Sequence, residues 1–383
     1  MTGTLAGTEL TRAAPERSTD PEPWLSVIVP VYNGGRDFVR CLDALRSSSG
    51  MPASAWELIV ADDGSTDGSV QRAVEAAARV VTSPRARSGP AAARNAGAAV
   101  ARGHLLLFVD ADVLVTSDTL SQVVATLDAL PSVAAVFGSY DDHPAASNFL
   151  SQYKNLFHHY VHQTSRAEAT TFWAGCGAVR RAVFREVGGF DPRYDRPCIE
   201  DIELGYRLTR RGNAVRLCRG IQVTHLKRWT AWSMIRSDVL DRGIPWTALL
   251  LRERAFSADL NLQVSNRVSV VCVYLLVMAV VGALLQPMLA FATLPLLVAL
   301  VSFNVPLYGF FLRQRGLRFL LAAAPWHWLY YGYNGVSFVI GTVVYVYLRQ
   351  ASPAAEAAPH RALERGGGED LTPAALVTTF RGE

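Results

Sequence analysis

Two short acidic motifs could supply the carboxylates of a nucleotide- and metal-binding site. Asp62 and Asp63 open the run 62–68, which contains two glycines and directly follows an apolar segment. A carboxylate there can accept hydrogen bonds from a pyrimidine base or from ribose hydroxyls. Asp110 and Asp112 follow a second apolar segment and could hold a hard divalent cation that neutralises a diphosphate. Each motif alone also fits an ordinary acidic turn that caps a helix.

Four further residues could complete such a site. Arg94 stands in a small-residue stretch and could reach an anionic nucleotide or hold the nearby carboxylates in place. Glu200 and Asp201 open a predicted helix, where the helix dipole favours a carboxylate. His225 becomes a candidate metal ligand only beside a carboxylate pair. The alternatives are a surface arginine, ordinary acidity at a helix start and an isolated histidine.

The elements that must position these residues follow from the hydrophobic pattern. Short apolar runs alternate with amphipathic, Ala-rich stretches, which predicts βα units and a mostly parallel sheet. The predicted strands are 25–31, 56–61, 79–82, 105–109 and 133–137, and the predicted helices between them are 37–46, 69–78, 90–101 and 117–130. Right-handed crossovers would place the strand ends on one rim, where ligands bind. After residue 140 the pattern predicts an α+β half, with helices at 147–163 and 200–211 and a short strand at 214–217.

Composition limits the class of protein. A chain of 383 residues suits one catalytic domain and a second part, and its 50% hydrophobic content is concentrated after residue 267. The net charge of +4 does not suggest a nucleic-acid partner. Five scattered cysteines without a C-x-x-C pair indicate neither a zinc site nor a disulfide framework, which fits a reducing cytosol. Residues 1–23 lack the apolar core of a signal peptide and are predicted to be a disordered leader.

Uncharged stretches near the end of the chain predict a transmembrane region at 267–349. About three spans are expected, near 268–286, 288–312 and 325–348. The basic segment 313–318 should lie in the cytoplasm, as should the residues before the first span. The tail 350–383 is predicted to be disordered and on the far side. These features predict a multi-pass protein of the inner (plasma) membrane with a cytoplasmic catalytic domain.

The segment 227–266 mixes tryptophans with arginines just before the first predicted span. That composition favours an amphipathic, interfacial region pressed against anionic headgroups, although an ordinary domain helix is the alternative. Lys227 and Arg228 could stabilise a leaving diphosphate or face the membrane.

An ordered series of motifs resembles the inverting family 2 glycosyltransferases of GT-A fold. The motifs are VIVPVYN at 27–33, DDGS at 62–65, ARN at 93–95, DAD at 110–112, GGFD at 188–191 and ED at 200–201. The resemblance covers residues 25 to about 246. It implies an α/β fold class, with a GT-A, Rossmann-like nucleotide-sugar-binding domain at 24–226 followed by a C-terminal helical membrane domain.

The resemblance also implies roles for the residues that match its motifs. Nucleotide-sugar binding would fall to Pro30, Tyr32, Asp62, Asp63, Arg94 and Asp110. Mg²⁺ or Mn²⁺ would be held by Asp110 and Asp112, with His225 as a further candidate. Asp201 would be the catalytic base, with Glu200 beside it.

The predicted function is transfer of a sugar from a nucleotide-diphosphate sugar to a lipid-linked or cell-envelope glycan acceptor. The Q-x-x-R-W sequence of processive synthases is absent from the chain, which favours adding one or a few sugars. A polyprenyl-phosphate sugar synthase is the alternative within the same chemistry. A non-catalytic membrane scaffold would be expected to have lost one of Asp63, Asp112 and Asp201, and all three are present. A nucleotidyltransferase fits the 188–191 turn and the acidic helix less well.

Overall fold

The structure is a computed structural model that describes residues 22–253 and 263–351. The predicted leader at 1–23 and tail at 350–383 therefore fall almost entirely outside the described residues, as does 254–262 within the predicted interfacial region.

Nine strands form a mixed sheet in the described residues up to His225. The strands are β1 (Leu25–Val31), β2 (Trp56–Asp62), β3 (Arg79–Thr82), β4 (Leu105–Val109), β5 (Val113–Leu114), β6 (Val133–Tyr140), β7 (Glu168–Ala169), β8 (Cys176–Arg180) and β9 (Ala214–His225). Their order is β3-β2-β1-β4-β8-β6-β9-β5, with β7 paired to β9. The first four strands in this order are parallel, as the βα rhythm predicts, and β8 runs antiparallel to both β4 and β6.

Helices cover both faces of this sheet and continue beyond it. They are α1 (Gly35–Arg46), α2 (Ser69–Glu75), α3 (Gly89–Val100), α4 (Thr119–Ala129), α5 (Phe149–Thr164), α6 (Arg181–Glu186), α7 (Glu200–Arg210), α8 (Ala231–Arg236), α9 (Ile244–Glu253), α10 (Val264–Gly282) and α11 (Thr293–Ala351). Every residue of β1, β4 and β6 is buried, which explains why these strands are continuous apolar runs without alternation.

The parallel strands bring the two acidic motifs to one rim. Asp62 ends β2, and Asp110 follows β4 directly, with β1 between these two strands. The sequence places this rim correctly because the carboxyl ends of parallel strands meet at one edge.

β9 is much longer than the strand predicted at 214–217. It continues to His225, pairs with β6 through two register shifts, and ends opposite Val113 of β5. The Cys218-Arg219-Gly220 segment interrupts the apolar pattern at a register shift, so the pattern hides the second half of the strand.

Two helices of the described chain are long and apolar enough to cross a membrane, at Val264–Gly282 and Pro287–Tyr347. The second is broken at Gly316, where φ is 78° and ψ is 180°. Three helical segments result, and the last passes through Pro325 without interruption.

The long helix packs on the sheet domain near this break. The hydroxyl of Tyr153 on α5 and Nδ1 of His327 share a hydrogen bond of 2.7 Å. The ring of Tyr153 also contacts the ring of Phe311. Phe149 contacts Phe319 in the same way. Phe311, Phe319 and His327 of α11 therefore pack against aromatic side chains of α5.

The segment that was predicted to be interfacial folds into α8, a π-helical turn (Ser237–Gly243) and α9. Leu249 and Leu250 of α9 pack against Ile199 and Tyr206 at α7. On α8, Trp232 is 76% exposed. One face of α9 thus packs against α7, while α8 presents a tryptophan outward. The interfacial role of the segment stays a prediction.

Candidate active site

His225 and Asp112 meet because β5 and β9 pair at their ends. Val113 lies opposite His225 in the ladder, so Asp112, one residue earlier, approaches the imidazole. His225 Nε2 is 3.4 Å from Asp112 Oδ2. The ring also stacks on Tyr140 at 4.4 Å, and its Nδ1 lies 3.0 Å from Asn155 Oδ1. Because the amide oxygen can only accept, Nδ1 donates and Nε2 is left facing Asp112.

The charges around Asp112 favour its ionised form. Burial would raise the pKa of this carboxyl, but the hydrogen bond and charge of His225, together with Lys227, lower it. Asp112 is therefore an anion beside an imidazole nitrogen, and about a third of its side chain is exposed.

The described residues contain no group of three or more His, Cys, Asp or Glu side chains that could hold a metal ion. Asp110, predicted as a ligand, directs Oδ1 to Arg94 at 2.7 Å. Asp112 and His225 still fit a hard divalent cation, because such ions are often held by one or two protein ligands together with substrate phosphates and water. Their 3.4 Å separation suits neighbouring ligands of one ion.

Arg94 links Asp110 to α7, the helix that carries the predicted base Asp201. It is 4% exposed on α3. Its Nη2 donates to Asp110 Oδ1 at 2.7 Å, and its Nη1 donates to Glu200 Oε1 at 2.8 Å. Of the two roles weighed from the sequence, the structure places Arg94 in the second, as the residue that holds the carboxylates.

Asp201 lies at the first turn of α7, where backbone groups orient its carboxylate. Oδ2 accepts from Ala174 N at 3.1 Å, and Oδ1 accepts from Ile202 N at 2.8 Å. The close approach of α7 to the segment that contains Phe172 and Ala174 needs glycine at position 205, because a Cβ there would lie 2.2 Å from Phe172 N. Burial, and then the charge of Glu200, raise the pKa of Asp201 from 3.8 to about 6, against the opposing effect of Arg94.

Asp62 and Asp63 are placed at the rim, but their carboxylates already accept hydrogen bonds from backbone groups. Asp62 accepts from Gly64 N and Ser65 N, each at 3.1 Å. Asp63 is 5% exposed, and its two oxygens accept from the amides of residues 88 and 89 at 2.9 and 2.8 Å. These are the turn and cap contacts that the sequence offered as the alternative. Asp62 Oδ1 and both oxygens of Asp63 each retain a further lone pair for a ligand.

Of the two other predicted nucleotide contacts, one is buried and one is exposed. Pro30 is buried within β1, paired with Ala61, so it can only shape the pocket floor. Tyr32 is 44% exposed, and the guanidinium of Arg87 lies 5.5 Å from its ring centre. Arg87 was not singled out in the sequence, because the loop 83–88 matches no motif.

Asn95 is a second residue that the sequence did not single out for a role. Its Oδ1 accepts from Phe190 N at 2.9 Å and its Nδ2 donates to Phe190 O at 2.7 Å. The ARN and GGFD motifs, almost a hundred residues apart in the chain, are therefore fastened together beside the site.

A mixed α/β sheet with carboxylates at its strand ends and an acidic helix facing them defines the GT-A class of glycosyltransferase domain. Residues 26–188 match the model of the family described as glycosyl transferase family 2. Residues 26–188 are therefore similar to family 2 glycosyltransferase domains, and a helical region with long apolar helices follows them.

Curated proteins whose names describe glucosyltransferases match parts of the chain. The chain is 30% identical over 242 residues to a validoxylamine A glucosyltransferase of Streptomyces hygroscopicus subsp. limoneus. The aligned region covers 54% of this chain and 53% of the relative. The chain is 31% identical over 141 residues to the dolichyl-phosphate beta-glucosyltransferase of Saccharomyces cerevisiae, which covers 33% and 41%. The chain thus spans about half the length of these relatives or less.

Solved structures resemble the chain at low identity. A mannosyltransferase from Pyrobaculum calidifontis, in complex with GDP-Man and Mn²⁺, is 19% identical with a TM-score of 0.47. The likeness covers 85% of this chain and 88% of that one.

Proposed function

We propose that the protein is a membrane-anchored, inverting glycosyltransferase that moves a sugar from a nucleotide-diphosphate sugar to a lipid-linked or cell-envelope glycan acceptor. The observation that carries this proposal is the linked set of carboxylates at one rim. Asp112 and His225 lie on one side, Asp201 on the other, and Arg94 fixes the two sides through Asp110 and Glu200.

The chemistry follows from the different states of these groups. Asp201, whose pKa is raised to about 6, is ionised at neutral pH and basic enough to take a proton from an acceptor hydroxyl. The acceptor oxygen attacks the anomeric carbon while the bond to the diphosphate breaks on the opposite face, so the configuration inverts. Asp112 and His225 would hold a divalent cation, Mg²⁺ or Mn²⁺, which supplies charge neutralisation to the leaving diphosphate.

The membrane part of the proposal rests on the apolar helices and on the place of their bend. Val339, Val343 and neighbouring apolar side chains of α11 are exposed, as they would be toward lipid. Beside the Gly316 bend, Arg315 donates to Asp142 O at 2.9 Å and to Gln152 Oε1 at 2.9 Å, so the bend sits on the catalytic domain. Three crossings with the catalytic domain and bend on the cytoplasmic side agree with the basic charge of 313–318.

The stereochemistry of the product tests the proposed reaction. The purified full chain should convert an α-linked donor into a β-linked product, which the anomeric proton coupling in NMR reports. Asp201→Asn should abolish product formation while donor binding, followed by thermal shift, is retained. A product of retained configuration would contradict the proposed inverting reaction, and unchanged turnover in the variant would exclude Asp201 as the base.

A further inference from the structure

A cavity of about 80 Å³ lies where the sheet domain meets α9 and α11. Its polar and aromatic walls come from α5, the π-helical turn with α9, and α11, and include Lys154, His158, Arg242, Trp246, Tyr330 and Asn334. A single water needs about 10–15 Å³ of such space, so the cavity has room for a group of several heavy atoms such as a phosphate.

Most charges in this cavity are already paired. Lys154 Nζ lies 2.5 Å from Asp238 Oδ1, and the hydroxyl of Tyr333 donates to Asp238 Oδ2 at 2.8 Å. Both oxygens of the Asp238 carboxylate are thereby used, and the Lys154–Asp238 pair contributes no net charge.

Arg242 is the exception. Its side chain is exposed, and in the described part of the chain its guanidinium forms neither an ion pair nor a hydrogen bond. Desolvation would lower its pKa, but the charges of Asp238, Tyr140 and Asp201 raise it, so the guanidinium stays charged. A cation that has no partner among the described residues therefore faces the cavity.

The place of the cavity indicates what this cation could bind. The cavity lies among α5, the π-helical turn with α9, and α11, and its lining does not include the Asp112–His225 pair. From the cavity wall at Asn334, α11 runs directly into the exposed apolar residues Val336, Val339 and Val343.

We propose that Arg242 binds the phosphate group of a lipid carrier, whose apolar chain lies along the exposed face of α11. This inference rests on the proposed transferase function and names the class of its acceptor. A guanidinium matches two phosphate oxygens through paired hydrogen bonds, which a neutral alcohol cannot offer.

Two carriers share this chemistry. In a polyprenyl monophosphate, the phosphate oxygen itself attacks: the bond from the anomeric carbon to the donor diphosphate breaks, a new bond to the phosphate oxygen forms, and no proton needs to leave. In a carrier that already bears a sugar, the phosphate anchors the molecule while a sugar hydroxyl attacks and Asp201 takes its proton.

Binding of farnesyl phosphate and of farnesol to the detergent-solubilised full chain tests the inference. Thermal shift should give wild type an affinity for farnesyl phosphate about tenfold or more above that for farnesol, the size expected for a charge-assisted bidentate contact. Arg242→Gln should lose this preference, and Arg242→Lys should retain part of it. Arg236→Gln is the matched control, because Arg236 pairs with Asp241 and does not line the cavity, and it should keep the preference.

The same variants separate this inference from the function on which it rests. Hydrolysis of the donor sugar by water, measured in wild type and in the Arg236→Gln control, reports the transferase independently of phosphate binding and should be equal in the two. Wild type that shows no preference for farnesyl phosphate, or an Arg242→Gln variant that keeps it, would overturn the inference, whereas failure of every donor to be hydrolysed would instead contradict the transferase. With a donor present, an acid-labile product identifies the phosphate as the attacking group, and binding without product identifies it as an anchor.

Discussion

Glu200 and Asp201 are adjacent carboxylates whose surroundings assign them different work. Both oxygens of Glu200 are committed, one to Arg94 Nη1 at 2.8 Å and the other to Cys198 N at 2.9 Å. Asp201 accepts only backbone amides, and its pKa is raised to about 6. Two neighbouring carboxyl groups in different surroundings are a recurrent arrangement for acid–base chemistry. Glu200, which the sequence grouped with the catalytic residues, acts here on the position of Arg94 and on the pKa of its neighbour.

The raised pKa of Asp201 has opposite consequences for activity and stability. In the free enzyme kcat/KM should fall as the pH drops below about 6, because the base is then protonated. Above that pH its ionised form costs folding free energy, since the folded chain binds the proton more tightly than the unfolded chain does. Asp201→Asn should therefore raise stability at pH 7.5 by about 1–3 kcal/mol.

Melting curves at two pH values check this prediction. The gain from Asp201→Asn should shrink as the pH falls from about 6 toward 4, because the folded chain takes up the proton over this range while the unfolded chain, with a pKa of 3.8, does so only at lower pH. Glu75→Gln, at an exposed pair with Arg72, should leave the melting temperature nearly unchanged at either pH. If the Asp201→Asn protein were less stable than wild type at pH 7.5, the ionised form of Asp201 would not cost folding free energy.

Arg94 should be irreplaceable by lysine. One ammonium group cannot hold both Asp110 and Glu200, so Arg94→Lys should lower kcat by about tenfold or more with a smaller change in the donor KM. Removing the charge altogether, as in Arg94→Met, should cost about 3–5 kcal/mol, since Glu200 would be left buried and unpaired. Arg102→Lys, at the more exposed pair with Glu57, should change neither activity nor stability by more than about 1 kcal/mol. Equal effects of the two lysine substitutions would contradict the bridging role.

At the scale of elements, local pattern predicts the parallel half of the sheet and misses what depends on distant pairing. The strand at 105–109 matches the structure because a buried parallel strand reads as a short apolar run. The strand at 79–82 also matches, although it lies at the edge of the sheet and none of its residues is buried. The second half of β9 is held by long-range pairing to β6 and β5. Since His225 meets Asp112 only through that pairing, the sequence could name the histidine but not its partner. The sequence did not single out Arg242 for a similar reason, because nothing in its local sequence indicates that it lines a cavity together with residues of α5 and α11.

The break in α11 should depend on glycine at 316. Its φ of 78° with ψ near 180° is a conformation that other residues adopt only with strain, so Gly316→Ala should destabilise the full chain by about 1–3 kcal/mol. Gly332→Ala is the control within the same helix, since an added Cβ there meets nothing within 4 Å, and it should be neutral or stabilising. Thermal melting in detergent measures both. A harmless Gly316→Ala would mean that the bend is not required for the packing of α11 on α5.

At the scale of the whole molecule, the account places the catalytic domain and the Gly316 bend on one side of the membrane and residues near 285 on the other. Leu285 and Leu317 are 89% and 59% exposed, so each can be replaced by a reporter cysteine. A membrane-impermeant maleimide added to intact cells should label Leu285→Cys and spare Leu317→Cys, with the reverse in inverted vesicles. The wild type, with its five native cysteines, measures background. Equal labelling of both positions from one side would contradict the crossing of the membrane between them.

The central claim is that one rim of this domain uses a cation-assisted nucleotide sugar with Asp201 as the base. The most direct measurement is release of nucleoside diphosphate from a panel of UDP, GDP and dTDP sugars by the purified full chain, with lipid extract as acceptor and Mg²⁺ or Mn²⁺ added. The account predicts release with at least one nucleotide, loss of release on chelation, and a fall of about hundredfold or more in Asp201→Asn. Release that is absent with every donor, or unchanged in the variant, would contradict it.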